Sequence, residues 1–135
     1  MSDSDDFDEI GCDHVLSGGT GRVLMEKGVT AQFFEIETRK QARLLANAKL
    51  WADGQKLSPE QFQGNEGRCG GDNDRMLVAV KTHKVRLYGF VRSYGKKKTL
   101  FIVDLDGAKK QTRAKAHVLK RAKAAVVAMD KICGE

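Results

Sequence analysis

The chain has one proline, one tryptophan, two tyrosines and three cysteines in 135 residues, and each scarcity excludes something. Cys12, Cys69 and Cys133 are an odd number at wide spacing with no C-x-x-C pair, so they imply no disulfide framework. Cys12 and His14 would begin a zinc site, but no second pair completes the four ligands, and neither a metal nor another cofactor is expected. The longest apolar runs, 100–103 and 124–129, fall far short of the ~18 residues that cross a bilayer, so no membrane partner is expected. The opening Met1-Ser2-Asp3-Ser4-Asp5-Asp6 has no positive charge and no apolar stretch, unlike a secretory or transit segment, and the expected location is cytoplasmic.

Charge is abundant but unevenly placed. Residues 1–70 hold 8 Lys and Arg against 12 Asp and Glu, net −4, whereas residues 71–135 hold 16 against 6, net +10. Such a surplus creates a potential that attracts polyanions, of which nucleic acid is the usual one. In residues 1–28 the acidic groups (Asp3, Asp5, Asp6, Asp8, Glu9, Asp13) and a glycine-rich stretch leave little apolar area to offset chain entropy, which predicts a disordered acidic tail. Opposite charge on one chain also predicts intramolecular contact between that tail and the basic part. Gly18-Gly19-Thr20-Gly21 is not a phosphate loop, because no Gly-Lys-Ser/Thr follows. Residues 29–135 make the one folded domain, near the commonest domain size.

Within that domain, residues 29–36 are rich in β-branched and aromatic side chains and read as a first strand. Thr38 and Gln41 fit a capping box, Leu44, Leu45, Ala48, Trp51 and Ala52 recur at helical spacing, and Gly54 suits a left-handed helix end. Ser58-Pro59-Glu60-Gln61 reads as the start of a second, short helix. The period then changes to two over 76–80, 85–91 and 100–105, a three-stranded meander, before a basic helix over 114–129. The expected class is α+β, with an antiparallel-rich four-stranded sheet in the order β-α-α-β-β-β-α.

Alternation in the middle meander strand puts Val85, Leu87, Gly89 and Val91 on one face and Arg86, Tyr88, Phe90 and Arg92 on the other. The second set predicts a basic, aromatic face suited to single-stranded nucleic acid, since arginine forks phosphate oxygens and aromatic rings stack on bases. Lys109, Lys110 and Arg113 form a further cationic cluster before the last helix, and Arg75, Lys81 and Lys120 extend the expected nucleic-acid contacts. His83 and His117 are the natural proton-transfer candidates.

The strand 85–91, read as arginine, apolar, tyrosine, and the passage from Leu100-Phe101-Ile102-Val103 to Lys109-Lys110 and a helix resemble the RelE/HigB superfamily of bacterial toxins, in its HigB-like branch. The resemblance implies a RelE-like fold and the toxin of a toxin-antitoxin system, a metal-independent mRNA endoribonuclease acting on the ribosome and held by a cognate antitoxin protein. It implies phosphate stabilisation by Arg86 and Lys110, proton transfer assisted by His117, and a base at Lys84 or His83, the ribose 2′-OH attacking the adjacent phosphate. A ParE-like branch that inhibits DNA gyrase without cutting RNA, and a non-enzymatic nucleic-acid-binding module, are the alternatives.

Overall fold

A computed structural model describes residues 7–107 and 116–134. After a single 3-10 turn at Asp8–Ile10, strands β1 (Cys12–Ser17) and β2 (Arg22–Glu26) form a hairpin, followed by helices α1 (Lys27–Phe33) and α2 (Thr38–Ala52). The two-residue strand β3 (Phe62–Gln63) precedes the meander β4 (Val78–Thr82), β5 (Val85–Tyr94) and β6 (Lys97–Asp106), and α3 (Ala116–Cys133) comes last. The strands form one six-stranded sheet in the order β1-β2-β6-β5-β4-β3, antiparallel except where β2 runs parallel to β6. The protein is α+β. Among the described residues no helix is long and apolar enough to cross a membrane.

Helices cover both faces of this sheet. Val118, Ala122, Val126 and Met129 of α3 pack on Leu24, Ala79, Tyr88, Phe90 and Phe101. On the other face Val29 and Phe33 of α1 and Leu44, Ala48 and Ala52 of α2 meet Val23, Val80, Leu87, Leu100 and Ile102. This double cover explains why β2, β5 and β6 read as nearly continuous apolar runs. Phe90 and Phe101 stack across the β5–β6 pair with ring centres 5.2 Å apart. Beside them a bulge between Tyr88 and Gly89 shifts the register. Only glycine fits there, because a Cβ on Gly89 would run into the Phe101 carbonyl.

Several expectations are corrected. Residues 12–17 and 22–26, which composition assigned to a disordered tail, are strands, and Phe7, Ile10 and Cys12 are buried; residues 1–6 of the expected tail lie outside the described residues. The acidity that suggested disorder stays outside: Asp13 pairs with Lys27 at 2.8 Å while the apolar minority turns inward. The expected strand at 29–36 is instead mostly α1. The Glu26 Oε1 accepts the Val29 N–H at 3.1 Å as its N-cap, and Val29 and Phe33, one turn apart, share the buried face. The α2 capping box does not form, since Gln41 Nε2 donates to the carbonyls of Phe34 and Ile36 and so ties α1 to α2. The helix expected at Ser58 stops after one turn, closed by Gln61 and Phe62 N–H groups on the Ser58 carbonyl, and the chain then enters β3. Gly54 does sit at φ +75 beyond α2.

The C-terminal helix is pinned by a buried charge. Asp130 accepts from Arg92 Nη1 at 2.8 Å, from Arg75 Nε at 3.1 Å and from Asn73 Nδ2 at 2.7 Å, and Arg92 also donates to the Gly134 carbonyl at the helix end. Burial alone would raise the Asp130 carboxyl, but the donors from Arg75, Asn73 and Arg92 more than offset it and hold the pKa below the ordinary 3.8. Asp130→Ala leaves Arg92 buried without its anion and is expected to cost about 3 to 5 kcal/mol, read as a lowered urea midpoint. Because the folded value is depressed, this stabilisation is whole above the ordinary carboxylate range and is lost as pH falls through the lowered value. Wild type should therefore lose stability more steeply than Asp130→Asn on acidification below about pH 4; parallel curves would contradict the assignment.

Candidate nucleic-acid interface

The alternation expected along β5 is realised, but the face it creates is closed. Tyr88 is fully buried beneath α3 and Arg92 is buried on Asp130, so neither reaches a base or a phosphate at the surface. Arg75 is drawn to the same carboxylate. The expected nucleic-acid roles of Tyr88 and Arg92 are thus corrected to packing and internal ion pairing, while Arg75, paired with Asp130, keeps 30% of its side chain exposed. Burial pushes the Tyr88 hydroxyl up to about 12, with Glu66 and Asp106 acting in the same direction and Arg86 against it.

Arg86 is half-buried, and its Nη1 donates to Glu66 Oε2 at 3.0 Å, with Asp106 directly opposite it on β6. A guanidinium so compensated offers a phosphate much less than a free one, because binding must first displace the carboxylate. Asp104 likewise accepts from Arg121 of α3 at 2.8 Å. Lys109, Lys110 and Arg113 lie outside the described residues. His117 and Lys120 are exposed on the first turns of α3.

What remains open is the other side of the β4–β5 turn. His83 and Lys84 form this two-residue turn, with Lys84 at φ +62, and both side chains are exposed. His83 lines a cleft of about 300 Å³ together with Lys81 and Thr82 of β4, Arg43 and Asn47 of α2, and Glu60 and Gln61 before β3, Glu60 being its one carboxylate. The wall is rigid: Asn47 Nδ2 donates to the Lys81 carbonyl at 2.8 Å, Gln61 Nε2 donates to Asn47 Oδ1 at 3.2 Å, and Lys81 Nζ reaches the Pro59 carbonyl at 2.9 Å. Neither Arg43 nor His83 has an acidic partner among the described residues. The cleft thus brings an imidazole beside two cations and one carboxylate, side chains able to hold a phosphodiester and to move a proton.

Burial pushes Cys12 up to about 12 and Cys133 up to about 11, and raises Cys69 as well, so all three stay protonated near neutral pH. Sequence reasoning missed Glu66 and Asp130, the two acids that capture the arginines. They lie 20 and 38 residues from Arg86 and Arg92, and no local pattern signals such pairing.

Arg86→Ala strands Glu66, whose side chain is only 14% exposed, and is expected to lower the thermal midpoint; removing Glu66 as well should restore part of the loss. An unchanged midpoint in the single variant would mean that the Arg86–Glu66 pair does not stabilise the fold. No family model, no curated protein and no solved structure matches the chain.

Proposed function

We propose that this chain acts on RNA as a metal-independent endoribonuclease of the RelE/HigB toxin kind, with its reactive centre at the His83 cleft. The observation that carries the reading is the meeting of His83, Lys81 and Arg43 in one pocket. Two further features support it. The α+β class, with helices against a mostly antiparallel sheet, is compatible with the resemblance, although the sheet has six strands where four were expected and its first strands precede residue 29. The surplus of positive charge in the second half of the chain supplies the attraction for a polyanion.

In this mechanism His83 takes the proton of the ribose 2′-OH as it attacks the adjacent phosphate, forming the new O–P bond of a 2′,3′-cyclic phosphate while the bond to the 5′-oxygen breaks; the departing 5′-oxygen takes a proton from water, and the proton on His83 returns to solvent. Arg43 and Lys81 stabilise the charge that develops on the phosphate, usually the largest catalytic contribution. A positioned histidine adds roughly 10²-fold to 10⁴-fold. Lys84, next to His83 in the turn, guides the strand. Arg86 holds the β5 end through Glu66 and acts as a positioning residue. The proposed partners are mRNA on the ribosome and an antitoxin protein that covers the cleft.

A non-cleaving nucleic-acid-binding module is the second reading, and one observation favours it over cleavage: Arg86, which the resemblance makes the phosphate stabiliser of the reaction, is paired with Glu66 at 3.0 Å. Induced expression in bacteria, with growth followed beside primer extension on an abundant mRNA, separates the two. Wild type is expected to arrest growth and create new translation-dependent 5′ ends; His83→Ala should lose both by at least about 10²-fold while keeping its thermal midpoint. Binding to RNA that weakens steeply with salt, with intact mRNA, would establish the second reading instead.

A further inference from the structure

The far end of the sheet carries a second cationic site. Because β2 runs parallel to β6, the β1–β2 loop at residues 18–21 and the β5–β6 turn at Gly95 and Lys96 lie side by side. Between them is a cleft of about 300 Å³ whose lining includes Lys96, Lys97, Lys98, Arg22 and Thr20 and no carboxylate. None of the three lysines has an acidic partner among the described residues, whereas Lys27, Lys49, Arg75, Arg86, Arg92 and Arg121 all do. Three consecutive cations are thus left uncompensated at this one place.

The glycine loop itself shapes the cleft without supplying donors. The Gly18 N–H is bonded to the Gly21 carbonyl, the Gly19 N–H to Asp53 Oδ1 at 3.0 Å, and the Thr20 and Gly21 N–H groups to the Ala52 carbonyl. With its amides spent on the end of α2, the loop is a wall, and ligand binding falls to the lysines. Gly21 lets this wall approach closely, since a Cβ there would stand 3.0 Å from the Trp51 ring and 3.1 Å from the Lys98 carbonyl. Lys98 Nζ lies 5.2 Å from the centre of that ring, so the chain's one tryptophan reports on this site.

We propose that the Lys96-Lys97-Lys98 cleft binds the phosphate backbone of a single RNA strand, as a docking site separate from the His83 cleft. This rests on the RNA reading given above, but concerns binding and not cleavage. Three adjacent ammonium groups on a rigid turn are point charges without a geometric fork, which suits successive phosphates of a strand irrespective of base identity. A strand carries a charge on every nucleotide and continues past the three lysines, whereas tripolyphosphate presents all its charge within the cleft.

The test uses the intact chain, Trp51 emission and the anisotropy of a labelled twelve-residue oligouridylate, with tripolyphosphate as the competing source of phosphate. The oligonucleotide is expected to shift Trp51 emission saturably and far more tightly than tripolyphosphate. In Lys96→Asn/Lys97→Glu, affinity should fall at least tenfold, and the slope of log K against log salt should shrink by about 0.7 for each phosphate no longer neutralised. Asparagine suits the positive φ of 67 at position 96, and Lys96→Arg/Lys97→Arg, which keeps the charge, should bind as wild type does. Oligonucleotide binding seen by anisotropy with Trp51 silent and the variant unaffected would overturn this site while leaving the RNA reading intact. A Trp51 response to tripolyphosphate that the oligonucleotide does not exceed would overturn the assignment to a strand. Loss of cleavage in His83→Ala with this binding retained would support two separate sites.

Discussion

The parallel pairing of β2 with β6 is the constraint on which the rest of the structure depends. Strands that run parallel need a long connection, and here the chain between Glu26 and Lys97 includes both N-terminal helices and two strands of the meander. That excursion lays α1 and α2 over one face of the sheet. The continuation from β6 into α3 covers the other. Arg22 shows how tightly the pairing is supported: its guanidinium is buried, donates to the Thr99 hydroxyl across the β2–β6 ladder at 3.0 Å, and lies 4.8 Å from the Phe7 ring centre on the far side. The N-terminal residues from Phe7 onward are thereby part of the core that the pairing creates.

A sheet covered on both faces has no open surface for ligands, so function moves to its ends and edges. The same cover dictates what becomes of the charges on the inner strands. A guanidinium carried inward on β5 must meet an anion or a carbonyl, because an isolated buried charge is far costlier than a paired one. Arg92 meets Asp130 and Arg86 meets Glu66. Cations left without acids among the described residues, such as Lys84 and Lys96 in turns, Arg43 on α2 and Lys120 on α3, are exposed, where solvent already carries the cost of their charge. Positive charge available for binding is therefore a property of position in the fold, and counting Lys and Arg along the chain overstates it.

This is also why the fold was legible in part. The meander announced itself by its period of two, and α2 by the spacing of Leu44, Ala48 and Ala52, because each pattern is local and strong. The hairpin of β1 and β2 was hidden by its neighbours: the buried apolar run of β2, Val23-Leu24-Met25, is only three residues long, and the acids and glycines before it dominate any average over composition. Residues 29–36 satisfied strand preference and helix spacing together, and the cap from Glu26 with the i,i+4 pair of Val29 and Phe33 decided in favour of helix. On β5 the alternation was readable but the open side was not. Which face a strand presents to water depends on a helix more than twenty residues further along, and no feature of Arg86, Tyr88 or Arg92 encodes it.

The two cationic clefts stand at opposite ends of β5, whose ten residues at about 3.3 Å each separate them by roughly 30 Å. Screening at physiological salt has a length of about 8 Å, so neither cleft feels the field of the other. Any cooperation between them must pass through the ligand itself. A strand held at the lysines brings its remaining nucleotides to the His83 cleft at high effective concentration, and only if its length covers the gap. At about 3.4 Å per nucleotide in a stacked strand, that is on the order of nine nucleotides. Short oligonucleotides would then occupy the clefts independently, and the advantage of joining them would set in abruptly with length, a dependence that a single continuous basic face does not produce.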